Sequence, residues 1–169
     1  MIRLTRWLKP PQVRLELESR LPDEPSAEVS PRRLEWIVKE SVLRELADLL
    51  DSSGRVVNAT KLQSDLVNRE RKASTAVGEG IAIPHVRSMQ ARSFAICFAR
   101  STPGLPFESP DGAPVHFFFG VVAPPYDDKL YLEVYQSIGE LMRHDGTREA
   151  LFEAGTEHDI IKVIGGLGM

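Results

Sequence analysis

The chain has 169 residues, of which 42% are hydrophobic and 27% charged, and its formal net charge is −3 at pH 7. This length and composition are typical of one domain with a hydrophobic core, and the charge excludes the basic field that nucleic-acid binding requires. The single cysteine, Cys97, excludes an internal disulfide framework and a multi-cysteine metal site. Because Cys97 lies in an apolar run, we predict a buried and unreactive thiol.

No segment of the sequence has the properties of a membrane anchor or a signal peptide. The most apolar stretch, residues 115–123, is far too short to cross a bilayer. Residues 1–9 carry a charge every few positions, so they lack the apolar segment of a signal peptide. We therefore expect a cytoplasmic protein without stable membrane insertion.

The first elements along the chain are a strand, a loop and a long helix. Residues 12–18 alternate polar and apolar side chains, which predicts a half-buried strand, and residues 1–11 form an extension before it. Residues 19–31 contain three prolines and several acidic residues and are predicted to be a loop. Ser30 and Pro31 suit the N-cap and the first position of a helix. Its predicted buried face consists of Leu34, Ile37, Val38, Leu46, Leu49 and Leu50.

Strands and helices alternate through the rest of the chain. Asn58 is a suitable N-cap for a second helix, which ends near Arg69. The predicted strands that follow are 80–83, 94–99 and 115–122, and the predicted helices are 129–143, 147–153 and one that starts at Thr156. This order predicts an α/β fold with a mixed sheet and helices on both faces. The early strand favours parallel pairing, whereas the last two strands are also compatible with a hairpin.

His85 is the residue that most clearly suggests chemistry. Pro84 fixes its own φ and lacks an N–H donor, so a strand along residues 80–83 should end there. His85 then lies just beyond a strand end, where open α/β sheets place their ligands. Neutral imidazole is a competent nucleophile near pH 7, because its ordinary pKa is about 6.5.

The residues around His85 suit a phosphoryl group. Attack on phosphorus requires alignment, positive charge and N–H or O–H donors around the phosphoryl oxygens. Arg69 offers a planar fork of donors. The other candidate donors are Ser74, Thr75 and the backbone around Gly78 and Gly80.

Each of these residues also has a purely structural interpretation. Arg69 ends a helix, where a cation is favourable without any ligand. Glu70 either orients Arg69 through a salt bridge or is a solvated charge. Ser74 and Thr75 are also typical turn residues. Arg87 adds positive field near His85 or is simply exposed, and we favour the second.

The run from Arg69 to His85 resembles the active-site signature of type-2 enzyme IIA domains of the phosphoenolpyruvate-dependent phosphotransferase system. This family includes the fructose/mannitol domains and the nitrogen-regulatory IIA proteins. The matching residues are Arg69-Glu70, Ser74-Thr75, Gly78 and Gly80-Ile81-Ala82-Ile83-Pro84-His85. The resemblance extends weakly over most of the chain and implies a IIA-like domain at residues 12–165, in which 19–31 is an inserted loop.

The resemblance also implies a function. His85 would be the phosphoacceptor, an HPr-type phosphocarrier the donor, and neither a cofactor nor a metal would be required. The remaining histidines, His116, His144 and His158, are expected to be structural. Downstream partners would be a IIB domain or a regulatory target protein.

One position departs from the family pattern. Type-2 IIA domains usually carry a second active-site histidine at the start of the helix after the aromatic strand. The corresponding residue here is Tyr131. Tyrosine donates a hydrogen bond but carries no positive charge at pH 7. The substitution therefore casts doubt on efficient phosphotransfer.

These observations predict a phosphohistidine carrier of the nitrogen-regulatory kind, because no IIB, IIC or HPr domain is fused to it. The alternatives are a IIA subunit of a fructose/mannitol-type sugar transporter and a IIA-like binding module that is not phosphorylated. As a carrier it would be an enzyme only in the loose sense of a phosphotransferase with a phosphohistidine intermediate.

Overall fold

A mixed β-sheet lies at the centre of the computed structural model, which describes residues 2–23 and 27–166. Within these residues the strand order is β1-β5-β6-β3-β2, and β4 pairs with β6 beyond the end of β3. The strands are β1 (Val13–Arg14), β2 (Ala76–Gly78), β3 (Ile81–Ala82), β4 (His85–Arg87), β5 (Ala95–Leu105) and β6 (Val115–Ala123).

Five α-helices in the described part of the chain cover the two faces of this sheet. They are α1 (Pro31–Asp51), α2 (Ala59–Lys72), α3 (Lys129–Arg143), α4 (Thr147–Glu153) and α5 (Glu157–Gly166). The first two begin as predicted, because the side chains of Ser30 and Asn58 accept hydrogen bonds from the backbone N–H of the third residue of each helix. None of the helices in residues 2–23 and 27–166 is long and apolar enough to cross a membrane.

Alternation along β5 and β6 divides the core into two layers. Cys97 and Phe118 face α1 and α2, whereas Phe98 and Phe119 face α3, α4 and α5. Cys97 is fully buried, which confirms the prediction of a buried thiol, and burial raises the pKa of this thiol to about 12. The predicted fold class, a mixed sheet with helices on both faces, is confirmed as well.

Both expected kinds of strand pairing occur. Strands β5 and β6 form an antiparallel hairpin, and β1 pairs with β5 in parallel. Strands β3 and β4 are both parallel to β6, with Ile81 opposite Phe117 and His85 opposite Val121. The segment that leads to His85 is therefore paired with one edge of β6.

The predicted strand at residues 12–18 is wrong in extent. Only Val13–Arg14 pairs with β5, although the backbone N–H of Leu17 still donates to the Arg100 carbonyl. The carboxylate of Glu45 on α1 accepts hydrogen bonds from the backbone N–H groups of Glu18 and Ser19. A side chain on α1 therefore replaces the strand partner that alternation alone implied.

The buried face of α1 also differs from the prediction. Ile37 is 43% exposed and Leu34 is partly exposed, whereas the side chain of Lys39 is completely buried. Helical spacing could not reveal this, because the carboxylates that accompany Lys39 lie in other elements.

The predicted N-terminal extension and the start of the predicted loop pack against the domain. Within residues 1–11, Leu4 and Leu8 are buried in the core layer that contains α3 and α5. The packing of the core therefore continues across the predicted domain boundary at residue 12. In the predicted loop 19–31, Ser19 is buried against α1 through Glu45, and residues 24–26 lie outside the described residues.

Candidate functional site

His85 lies at the junction of β3 and β4. Strand β3 ends at Ala82, and the carbonyl of Pro84 accepts a hydrogen bond from the backbone N–H of Val121. His85 follows as the first residue of β4 and is partly exposed. It therefore lies beyond the carboxyl end of β3, as expected, but it also begins a strand that the sequence had not indicated.

The hydrogen-bond partners of His85 define its tautomer. Nδ1 lies 2.5 Å from the carbonyl oxygen of Ile83, which can only accept a hydrogen bond. Nε2 lies 3.4 Å from Nη2 of Arg69, which can only donate one. The proton therefore belongs on Nδ1, and the lone pair of Nε2 points toward the guanidinium.

Arg69 contacts both the end of its own helix and His85. It lies in the last turn of α2, and its Nη1 donates to the carbonyl oxygen of Ala73 at 2.9 Å. Its Nη2 faces His85 at the same time. The cation thus both satisfies a helix end and stands in front of the imidazole.

Two tyrosines of α3 flank the imidazole. The ring centroids of Tyr131 and Tyr135 lie 5.3 Å and 5.6 Å from that of His85, both in edge-to-face arrangements. Tyr135 was missed at the level of the sequence, although its spacing of four residues from Tyr131 places both on one helix face.

Glu70 does not pair with Arg69 and is not solvated, so both interpretations offered for it are wrong. It is buried, and its Oε1 lies 3.1 Å from Nζ of Lys39 on α1. The same carboxylate accepts hydrogen bonds from the backbone N–H and the hydroxyl of Thr75, at 3.0 and 2.6 Å. Glu70 therefore joins α1, α2 and the segment that leads to His85.

In this structure the hydroxyls of Ser74 and Thr75, which were predicted to serve a phosphoryl group, are bonded within the protein. The Thr75 hydroxyl donates to Glu70 and the residue is buried. The Ser74 hydroxyl donates to the carbonyl oxygen of Phe107 at 2.9 Å. Both protons are committed within the protein, which leaves the hydroxyls as organisers of the turn.

Gly78 and Gly80, which were predicted to bind phosphate, lie in a turn away from His85. Both have positive φ, at 93° and 79°, and they form the tight turn between β2 and β3. The Gly80 carbonyl bonds at the start of β6, to His116 and Phe117, whereas His85 pairs with Val121. Val121 lies four positions after Phe117 in the strand, or about 13 Å, so the turn lies at the far end of β3.

The other candidates near the site or of the same residue type have structural partners. Arg87 pairs with Asp128 at the start of α3. His116 bonds the carbonyl of Ser101 and packs on Phe152. In the described residues, no group of three or more His, Cys, Asp or Glu side chains is placed to hold a metal ion.

Comparison with known proteins identifies the fold family. The model of the family described as "Phosphoenolpyruvate-dependent sugar phosphotransferase system, EIIA 2" matches residues 29–166. The chain belongs to this family. The family predicted from the motif around His85 is thereby confirmed, and a phosphohistidine carrier role fits it.

Relatives of this EIIA 2 domain include both transport and regulatory proteins. It is 36% identical over 126 residues to the fructose-specific EIIABC component of Bacillus subtilis, covering 75% of this chain but only 20% of that protein. It is 30% identical to the fructose-specific EIIA component of Haloferax volcanii and 29% identical to the nitrogen regulatory protein of Pseudomonas aeruginosa. Each of these two matches covers 75% of this chain and 82% of the relative.

Solved structures show the same fold. The nitrogen regulatory protein IIA-Ntr from Neisseria meningitidis superposes with a TM-score of 0.75 at 22% identity, covering 95% of this chain and 98% of the other. The mannitol IIA from Escherichia coli superposes with a TM-score of 0.67 at 17% identity, covering 91% and 96%. These likenesses place the EIIA 2 domain among the IIA folds of both kinds without deciding between them.

The environment of His85 in the EIIA 2 domain favours the neutral imidazole. Burial lowers the pKa of His85 below its ordinary value, and the positive charge of Arg69 lowers it further. The carbonyl of Ile83 and the charge of Glu70 oppose these effects without reversing them. The nucleophilic form is therefore present at pH 7 and persists into mildly acidic solution.

This lowered pKa predicts a pH dependence of stability. As pH falls below the ordinary histidine value of about 6.5, the unfolded chain binds a proton at His85 before the folded protein does. We therefore expect the free energy of unfolding to decrease as pH falls through this window, until the folded imidazole is also protonated. Denaturant unfolding between about pH 7.5 and pH 5 should show a smaller decrease in His85→Ala than in the parent.

The matched control is His158→Ala, which removes an exposed imidazole. An NMR titration of the parent should give a midpoint for His85 below about 6.5. A midpoint at or above that value would contradict the lowered pKa of His85.

Proposed function

We propose that the protein is a phosphohistidine carrier that accepts a phosphoryl group on Nε2 of His85 from an HPr-type phosphocarrier. The observation that supports this most directly is the placement of the imidazole between the Ile83 carbonyl and Arg69. The Nδ1 proton is held by the Ile83 carbonyl, and the Nε2 lone pair faces Arg69 at 3.4 Å. A neutral, oriented nucleophile with a cation in front of it is the arrangement that in-line phosphoryl transfer requires.

The proposed transfer balances without any further reactant. The Nε2 lone pair forms the bond to phosphorus while the bond from phosphorus to the donor's imidazole nitrogen breaks, and that nitrogen keeps the electron pair. Positive charge develops on the His85 ring, where the Ile83 carbonyl stabilises the Nδ1–H. The guanidinium of Arg69 stabilises the negative charge on the phosphoryl oxygens.

The tyrosines of α3 would form one wall of this site. The ring edges of Tyr131 and Tyr135 pack against the imidazole. Aromatic side chains at these positions limit the access of water to a phosphorus–nitrogen bond. Tyr131 would stand where most members of the family have a second histidine.

For the output of the carrier, we propose regulation of the nitrogen-branch kind. The 29% identity to the nitrogen regulatory protein of Pseudomonas aeruginosa, over 82% of that protein, supports this. Tyr131 supports it as well, because a regulatory protein does not need the transfer rate of a transporter subunit.

A second candidate is a IIA component of a fructose-type transporter. It is favoured by sequence identity, which is 36% and 30% to the two fructose proteins and 29% to the Pseudomonas nitrogen regulatory protein. One of the similar structures is a complex of the mannitol IIA with phosphorylated IIB. By analogy, a IIB domain would take the phosphoryl group from His85 in this case.

Incubation with phosphoenolpyruvate, enzyme I and HPr tests the carrier function. We expect a protein species heavier by one phosphoryl group in alkali-quenched mass spectra. Subsequent addition of a fructose-type IIB domain separates the two outputs, because loss of the label to IIB supports transport and retention supports regulation. If the protein takes up no phosphate from excess phosphorylated HPr, the carrier proposal fails and a IIA-like binding module is favoured instead.

Substitution of Tyr131 should change the kinetics of labelling. Tyr131→His adds an imidazole that is charged below about pH 6.5, so we expect faster phosphorylation or a longer-lived phosphorylated form in acidic solution. Tyr131→Phe should cost about 0.5–1.5 kcal/mol if the hydroxyl bonds the phosphoryl group, or roughly a two- to tenfold slower reaction. Labelling rates at about pH 6 and about pH 8 measure both effects.

Tyr135→Phe is the matched control for Tyr131→Phe, because it removes the hydroxyl of the neighbouring ring and keeps the wall intact. If neither Tyr131 variant differs from the parent at either pH, Tyr131 does not occupy the position of the second histidine in a functional sense.

A further inference from the structure

Lys39 is a completely buried cation. It is linked to His85 through intervening residues and not by direct contact. Its Nζ lies 3.1 Å from Oε1 of Glu70 and 3.6 Å from Oε2 of Glu108. The rings of Trp36 and Phe107 flank the ammonium group, with centroids at 4.9 and 5.0 Å. The burial of a lysine that makes no catalytic contact requires an explanation, because removing its charge from water costs free energy.

A continuous chain of contacts leads from Lys39 to His85. Lys39 holds the carboxylate of Glu70, which accepts both the backbone N–H and the hydroxyl of Thr75. The carbonyl of Thr75 accepts from the backbone N–H of Ile83 at 3.0 Å. The carbonyl of Ile83 in turn accepts from Nδ1 of His85 at 2.5 Å.

We propose that Lys39 is a positioning residue for His85, which acts through Glu70, Thr75 and Ile83 to fix the imidazole with its proton on Nδ1 and its Nε2 lone pair toward the phosphoryl donor. This inference rests on the proposed carrier function and extends it to a residue 46 positions away in the chain. Lys39 touches neither His85 nor the phosphoryl group.

The geometry explains why the cation is needed. Without Lys39, the Glu70 carboxylate would be buried with no countercharge, and it would relax toward solvent or lose its place. Its two bonds to Thr75 would weaken, and the Ile83 carbonyl would no longer be held at its present position. Arg69, the residue before Glu70, would lose its fixed distance to Nε2 by the same movement.

The contacts of Lys39 also tie the neighbouring loop to the site. Glu108 has a positive φ of 49°, and its backbone N–H donates to Glu35 on α1. The loop thereby presents the Phe107 carbonyl to the Ser74 hydroxyl. Lys39 thus pairs with Glu70, which holds Thr75, and with Glu108, which follows the residue whose carbonyl holds Ser74.

The test compares Lys39→Met with the parent by two independent measurements. The first is the tautomer of His85, from long-range proton–nitrogen NMR correlations of the imidazole without any phosphoryl donor. We expect the population with the proton on Nε2 to rise roughly two- to tenfold, as the loss of one hydrogen bond implies. The second is the labelling rate with phosphorylated HPr, which should fall by roughly the same factor.

Arg14→Met is the matched control for a purely structural ion pair. Arg14 pairs with Glu45 at 2.8 Å, and Glu45 likewise holds backbone N–H groups, those of Glu18 and Ser19. These contacts do not involve the segment from β2 to β4. Arg14→Met should therefore reduce stability and leave both the tautomer and the labelling rate within about twofold of the parent.

Thr75→Val provides a second test if Lys39→Met does not fold. It removes the hydroxyl bond to Glu70 while the buried ion pair remains, and we expect the tautomer shift in the same direction. A folded Lys39→Met or Thr75→Val protein with the parental tautomer would overturn the inference. The tautomer is measured without phosphate, so it decides the role of Lys39 even if the parent is never phosphorylated and the carrier proposal fails.

Discussion

Replacement of His85 with alanine is expected to abolish all acid-labile phosphorylation by phosphoenolpyruvate, enzyme I and HPr. Nε2 of His85 carries the lone pair that faces Nη2 of Arg69 at 3.4 Å. Alanine offers no nucleophile at this position, so the phosphoryl group of the donor has no acceptor there. Alkali-quenched mass spectrometry of the intact protein measures the effect.

The other three histidines are the controls for this prediction. His116 is bonded to Ser101, His144 ends α3, and His158 lies in the first turn of α5. Alanine at each of these positions should leave the label in place. Full labelling of His85→Ala would show that the phosphoacceptor lies elsewhere.

Replacement of Arg69 with alanine is expected to slow labelling by roughly one to two orders of magnitude. A charge-assisted hydrogen-bond partner in a partly buried site is worth about 1.5–3 kcal/mol. This stabilisation acts in the transition state of the transfer, when charge develops on the phosphoryl oxygens. Arg69→Lys should recover only part of the rate, because an ammonium group lacks the planar fork of donors. Single-turnover labelling with phosphorylated HPr provides the rates.

The control for Arg69 is Arg71→Ala, which removes a cation from the same last turn of α2. The Arg71 side chain is 61% exposed, lies 3.5 Å from Glu40 and stands over the ring of Trp36 at 5.7 Å. It should have the parental rate. An Arg69→Ala protein that unfolds at a lower temperature but is labelled at the normal rate would show that Arg69 is only a helix-end cation.

Local patterns were sufficient for most of the helices and for the central hairpin. Ser30 and Asn58 cap their helices within three residues of themselves, so the relevant hydrogen bonds are encoded by neighbours in the chain. The two long apolar strands are joined by a loop rich in proline and glycine, which is compatible with the antiparallel pairing found. The strand predicted at residues 12–18 failed because Glu45, on another element, binds its backbone.

The site was predictable in its centre and not in its surroundings. Pro84 and His85 are adjacent, so the placement of the imidazole beyond the end of β3 followed from backbone chemistry. Arg69 could be proposed because its motif was recognisable. The proximity of Tyr131 and Tyr135 to His85 depended on how α3 packs across the sheet, which their spacing alone does not specify.

The amino-acid order alone therefore indicated the family, the α/β class and the nucleophile, since each depends on residues that are neighbours in the chain or repeat with a regular period. The partners of Glu70, Thr75 and Gly80 were decided only by the folded structure. A carboxylate beside an arginine is expected to pair with it, but here Lys39, 31 residues earlier, is buried against Glu70 instead. Which charged group lies closest to a buried carboxylate depends on how helices and strands pack, and a local sequence pattern does not specify that packing.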